Sequence, residues 1–140
     1  MTVDSEAIFA VAAHSHGAAE ALEALRGSMA TAWIDERCEQ AVSVARGVGR
    51  PVWVGAGEAG VFFASTRLAL EVLERYLGLE LAKHELEEGT LVELSRGCEV
   101  SRQRFNPNRE FVDNPLPPVR APKEAARCLQ RLATLVAAAS

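Results

Sequence analysis

Cysteine, aromatic residues, long apolar runs and excess positive charge are all scarce in this 140-residue chain. Each shortage excludes something. The three cysteines, at 38, 98 and 128, are too few and too far apart for a disulfide framework or a zinc site. No apolar run approaches the roughly twenty residues a membrane-spanning helix needs, so no membrane association is expected. Fifteen Lys and Arg against nineteen Asp and Glu leave a formal charge of -4. That balance does not suit the phosphate backbone of a nucleic acid. The opening Met1-Thr2-Val3-Asp4-Ser5-Glu6 is acidic and lacks the basic stretch of a secretory signal. What remains is ordinary: 49% hydrophobic and 24% charged residues, the balance of a globular domain rather than of a disordered chain, a fibre or a coiled coil. These features predict a reduced, cytoplasmic domain with a single core and no cofactor.

The hydrophobic pattern divides the chain into elements. From Ser5 to about His14 the apolar residues are too continuous for a half-buried strand and predict a mostly buried helix. Asp4 or Ser5 can cap it. Ala18 to Leu25 reads as a second short helix. Ser28–Ile34, Gln40–Ala45, Pro51–Val54 and Val61–Ala64 are short, β-branched or aromatic, and bounded by Gly, Pro or charged turns, which predicts antiparallel strands. Thr66–Leu77 returns to helical period, and three more strands are predicted over Leu79–Leu86, Thr90–Leu94 and Glu99–Arg104. Asn106 to Pro122 holds five of the six prolines and reads as an extended arm. Lys123 to Ala138 reads as an amphipathic helix with Ala126, Leu129, Leu132, Leu135 and Val136 on one stripe. The expectation is an α+β domain over residues 1–105, an arm over 106–122 and a C-terminal helix over 123–140.

Several motifs invite a chemical reading. Gly55-Ala56-Gly57-Glu58-Ala59-Gly60 spells a dinucleotide fingerprint, but Val61-Phe62-Phe63 follows where the fingerprint needs a helix to hold the pyrophosphate. It is read instead as a glycine-rich hairpin loop. His14 and His16 would share a face on a strand but diverge on a helix end, so they are read as surface or capping residues rather than metal ligands. His84, alone in a predicted strand, is read as structural. Cys38, Cys98 and Cys128 lack a neighbouring base or cluster of positive charge and are read as incidental thiols. Removal of Met1 would expose Thr2, whose own amine could act as base, a further route to a hydrolase.

Taken in order, five stretches resemble the class II glutamine amidotransferase domain, the N-terminal-nucleophile glutaminase of the glucosamine-6-phosphate synthase type. They are Val3-Asp4-Ser5-Glu6-Ala7-Ile8, Leu25-Arg26-Gly27-Ser28-Met29-Ala30, Arg50-Pro51-Val52-Trp53-Val54-Gly55, Phe62-Phe63-Ala64-Ser65 and Leu86-Glu87-Glu88-Gly89-Thr90. The resemblance covers roughly residues 3 to 104 and matches the second half of that domain. It implies half of an αββα sandwich, with an antiparallel sheet packed against helices. It also implies that Asp4 is the counterpart of the carboxylate holding the α-ammonium of glutamine, a contact suited to charge-assisted hydrogen bonds. A simple helix cap is the other role open to Asp4. Thr66 stands where the family usually carries aspartate.

The family's Met-Cys-Gly start, its Arg-Trp-Ala/Thr-Thr-His segment and its Asn-Gly oxyanion pair do not occur in these 140 residues. The expectation is therefore a glutaminase-like half-domain with no catalytic residue of its own, completed by a partner chain or a preceding segment. The alternative is a non-enzymatic module that self-associates through the same fold. The C-terminal helix is a candidate cover for the exposed sheet, or a dimer contact.

Overall fold

In the computed structural model, residues 4–14 and 18–112 are described. The expected amphipathic helix over 123–138, the arm beyond Val112, and Thr2, His16 and Cys128 lie outside them. Among the described residues the chain runs α1 (Asp4–His14), a 3-10 turn (Ala19–Ala24), β1 (Ala30–Trp33), β2 (Ala41–Arg46), β3 (Trp53–Gly57) and β4 (Gly60–Ala64). It continues through α2 (Arg67–Leu77), β5 (Ala82–Glu85), β6 (Thr90–Ser95) and β7 (Cys98–Arg104). This is the order that periodicity predicts, and every paired strand is antiparallel.

The strands form two sheets rather than one. β1-β2-β6-β7 make a four-stranded sheet and β4-β3-β5 a three-stranded one. Period two explains how they pack. In the central β2–β6 pair, Val44 lies opposite Val92 and Val42 opposite Leu94. Together with Val52, Val54 and Leu86 these residues form the core between the sheets. The intervening pair, Ala45 opposite Leu91, faces the other way. It joins Ala19, Leu22, Met29 and Phe105, against which Ile8 and Val11 of α1 pack. On the far side of the three-stranded sheet α2 contacts β3, β4 and β5, and its Leu70 is 1% exposed. The layers are helix, sheet, sheet, helix.

Local chemistry sets the element ends. The Thr66 hydroxyl accepts the Ala69 N–H at 3.2 Å and caps α2, the role short polar side chains play at a helix start. The α2 helix ends on Gly78 in the left-handed conformation. Glu74 then ties it to β5, accepting from Leu81 N at 2.7 Å and pairing with Lys83 at 2.5 Å. β6 and β7 turn through Arg96-Gly97, both at positive φ, as a two-residue hairpin that matches strand twist requires.

The glycine motif is explained by packing. Gly55 and Gly57 lie in β3, where a Cβ on the first would press on Leu70 and Leu81, and one on the second would overlap the Glu80 carbonyl. Gly60 opens β4 at φ +126 with Gly97 of the β6–β7 tip against it, so two hairpins of different sheets meet backbone to backbone. The turn itself is Glu58-Ala59, and no helix follows. The motif is thus a hairpin, with its three glycines in the strands rather than in the turn.

Gly89 closes the other end of the sandwich. It donates to Arg46 O at 2.8 Å and accepts from Phe105 N at 2.9 Å. A Cβ there would overlap the Phe105 carbonyl, whereas Gly78, at a similar φ of +65, has open space. Gly78→Ala should therefore cost only the left-handed strain, about 1 kcal/mol. Gly89→Ala should cost on the order of 2–3 kcal/mol because the strand ends must separate. Urea unfolding of both variants checks this. Equal losses would sink the close-approach argument.

Candidate functional site

The candidate site is a cleft of about 730 Å³ beside the first turns of α1. Ala7 and Ile8 of α1 form one wall, Leu22 and residues 24–29 with Arg26 and Ser28 a second, Val48 and Arg50 a third, and Phe105, Asn108, Phe111 and Val112 the fourth. Two isolated parallel bridges bring these segments together, Arg26 with Asn108 and Ser28 with Val48. They are reinforced by Met29 N donating to Val48 O at 3.0 Å and Gly47 N to Met29 O at 2.9 Å. The Gly47–Arg50 turn exists because Gly49 takes φ +78 close against Ser28, where a Cβ would come within 2.9 Å of the Ser28 hydroxyl.

Charge ties together the segments that carry this cleft. Glu88 accepts from Gly49 N at 3.2 Å and from Arg109 at 2.8 Å. These two contacts, the Gly49 N–H first and the Arg109 guanidinium second, hold its carboxyl below the ordinary 4.5. One glutamate thus ties the turn on one side to the chain after β7 on the other. That chain is further held by Asn106 N donating to Glu23 Oε1 at 2.7 Å, so the start of the proline-bearing arm runs along the body. Nearby, Arg46 pairs with Glu85 at 2.6 Å and donates to the Leu86 carbonyl, with its own Nε buried and unpartnered.

Asp4 is the first residue of α1, one turn before Ala7 and Ile8. A helix places positions three and four apart on one face, so position 4 lies on the face that fronts the cleft. Nothing of its side chain is described. A cleft with two arginines on its walls, beside a helix start, suits a small polar ligand that carries a carboxylate.

The other sequence candidates scatter. His14 Nδ1 is hydrogen-bonded to Ala10 O at 2.8 Å within its own helix, so it serves the end of α1. His84 sits in β5 opposite Val54 and exerts an electrostatic pull on Glu99, whose carboxyl is lowered chiefly by Arg102. Cys38 and Cys98 are exposed free thiols, the first in the loop between β1 and β2 and the second at the start of β7 rather than in the expected turn. Among the described residues no three His, Cys, Asp or Glu side chains gather as a metal site, and no helix is long and apolar enough to cross a membrane. In the sequence Arg26, Ser28 and Arg50 stand only inside longer matched stretches, and Asn108 carries no motif. The glycines flanking them were the available signal.

Because the folded-state pKa of Glu88 lies below 4.5, its anchoring is complete above that pH and is lost as the pH falls through the lowered value. Glu88→Gln should lower the melting temperature near neutrality and flatten its decline in acid. A variant with an acid limb as steep as the parent's would show that the contact contributes nothing.

Neither a protein-family model nor a curated protein matches this chain. The functional reading therefore rests on the ordered segments and on the geometry above.

Proposed function

We propose that this chain is the second half of a class II glutamine amidotransferase-type glutaminase. On this reading it is incomplete by itself and is completed by a preceding segment or a partner chain. One observation carries the reading. The segments that resemble this family fold as antiparallel sheets packed against helices, the α+β layering that the resemblance implies. The resemblance implies half of an αββα sandwich, however, whereas the strands form two sheets rather than one. Thr66, which follows the matched Phe62–Ser65 stretch where the family usually carries aspartate, caps α2 through its hydroxyl, a role aspartate fills equally well.

The division of labour follows from the chemistry. The reaction needs a nucleophile to attack the glutamine side-chain amide and donors for the oxyanion that forms. Neither motif occurs in these residues, so both come from the completing part. This chain supplies the scaffold and the grip on the amino-acid end of glutamine. The Asp4 carboxylate takes the α-ammonium, at a site beside the cleft lined by Arg26 and Arg50.

A second reading, a self-associating module without catalysis, is favoured by one feature. An apolar groove lies where β1 and β4 each leave an unpaired edge.

Native mass spectrometry of the protein from its own source separates the two readings. A companion chain, or a longer form of this one, beginning with cysteine and releasing glutamate from glutamine is expected. A homo-oligomer of the 140-residue chain alone, inert to glutamine, would leave only the second. In the complete glutaminase Asp4→Ala should raise the glutamine KM roughly 10–100-fold, the loss of one charge-assisted contact worth about 1.5–3 kcal/mol. An unchanged KM would return Asp4 to the role of helix cap.

A further inference from the structure

The described part of the molecule leaves an apolar groove open. It lies at the carbonyl end of α1, lined by Phe9, Trp33, Ile34, Val42 and Phe63, with a volume of about 710 Å³. Phe9 is 48% exposed, Ile34 60% and Phe63 42%. An apolar surface continuous across a helix and two strand edges marks a contact site rather than scattered surface residues. We infer that its occupant is this chain's own C-terminal segment, Lys123–Ala138, docked within the same molecule. The inference is independent of the amidotransferase reading.

Three observations single out this occupant. The first is where the described chain ends. Phe111 and Val112 line the same cleft as Ala7 and Ile8 of α1, and Phe9, the next residue, already lines the groove. A stretch of ten residues, the length of 113–122, can reach at most about 33 Å, ample for that distance. The second is charge. Residues 1–112 hold 11 Lys and Arg against 17 Asp and Glu, a net -6, while residues 113–140 hold 4 against 2, a net +2. At the groove mouth Asp35 is paired with Arg37, which also donates to Ala13 O near the end of α1, so Glu36 and the net charge of the body are what favour a basic partner. The third is pattern. Leu129, Leu132, Leu135 and Val136 recur at helical spacing. Cys128 falls on that stripe, four residues before Leu132 and seven before Leu135.

Cys128 supplies the test in the full-length chain. In a Cys38→Ser, Cys98→Ser background it is the only native thiol. Ile34→Cys places a second thiol in the groove, and Val100→Cys places one on β7, the opposite edge of the same sheet, where Val100 is 57% exposed. Both sites are exposed, so the fold should survive, which circular dichroism checks. With oxidised glutathione, Ile34→Cys should form a disulfide to Cys128 within one chain, at monomer mass. It should form about tenfold or more faster than with Val100→Cys, because docking raises the local concentration. Adding Leu129→Asp and Leu132→Asp should abolish the difference. Phe63→Cys, on the facing wall, should behave as Ile34→Cys does. Equal rates from groove and far edge would overturn the inference. So would disulfides formed only between chains, which would assign the groove to a second copy.

Discussion

The pairing of β2 with β6 is the constraint on which the rest of the structure depends. Both are central strands, buried on both faces, and one register sets two cores at once. Val44 opposite Val92 faces the second sheet, and Ala45 opposite Leu91 faces α1 and the 3-10 turn. A slip of one residue would exchange the two sets and turn Ser43 and Glu93 into the inter-sheet core, where neither has a partner for its polar atoms. The requirement also fixes the neighbours. β1 follows β2 in register, and β7 follows β6 until the shift between Glu93 and Leu94 leaves Val100 as an extra residue.

That central pairing brings distant segments to one end of the sandwich. Gly89 joins the end of β2 to the end of β7 through two backbone hydrogen bonds. The chain leaving β7 then runs past Glu23, Arg26 and Glu88. The candidate cleft is a by-product of this crossing. Its walls come from four parts of the chain, and Glu88 draws the Gly49 turn and Arg109 together. The open surfaces differ in kind. The cleft beside the start of α1 carries arginines and amides. The groove at the other end of that helix is lined mainly by aromatic and aliphatic side chains, with Asp35, Glu36 and Arg37 at its mouth. One suits a small polar molecule and the other an apolar stripe.

Much of the local structure was legible because it follows from local rules. Strand alternation, the return to helical period at Thr66, and the β-rich Val61-Phe62-Phe63 after the glycine motif each depend on neighbours a few residues apart. Those signals placed the hairpin correctly and excluded a dinucleotide site. Legibility failed where the cause was distant. The predicted strand over Leu79–Leu86 shortened to Ala82–Glu85 because Glu74 captures Leu81 N. The second short helix tightened to 3-10 geometry, and its cap positions, Ala18 and Leu25, offer no side-chain oxygen.

The sequence by itself determined the α+β class, the order of elements and the turn chemistry, because each is written in spacings of two to four residues. Only the tertiary structure decided that seven strands divide between two sheets. It alone showed why the glycines of β3 and β4 must be glycines, and that Arg26, Ser28, Arg50 and Asn108 share a cleft. These are matters of which distant backbones approach closely, and no local pattern carries that information.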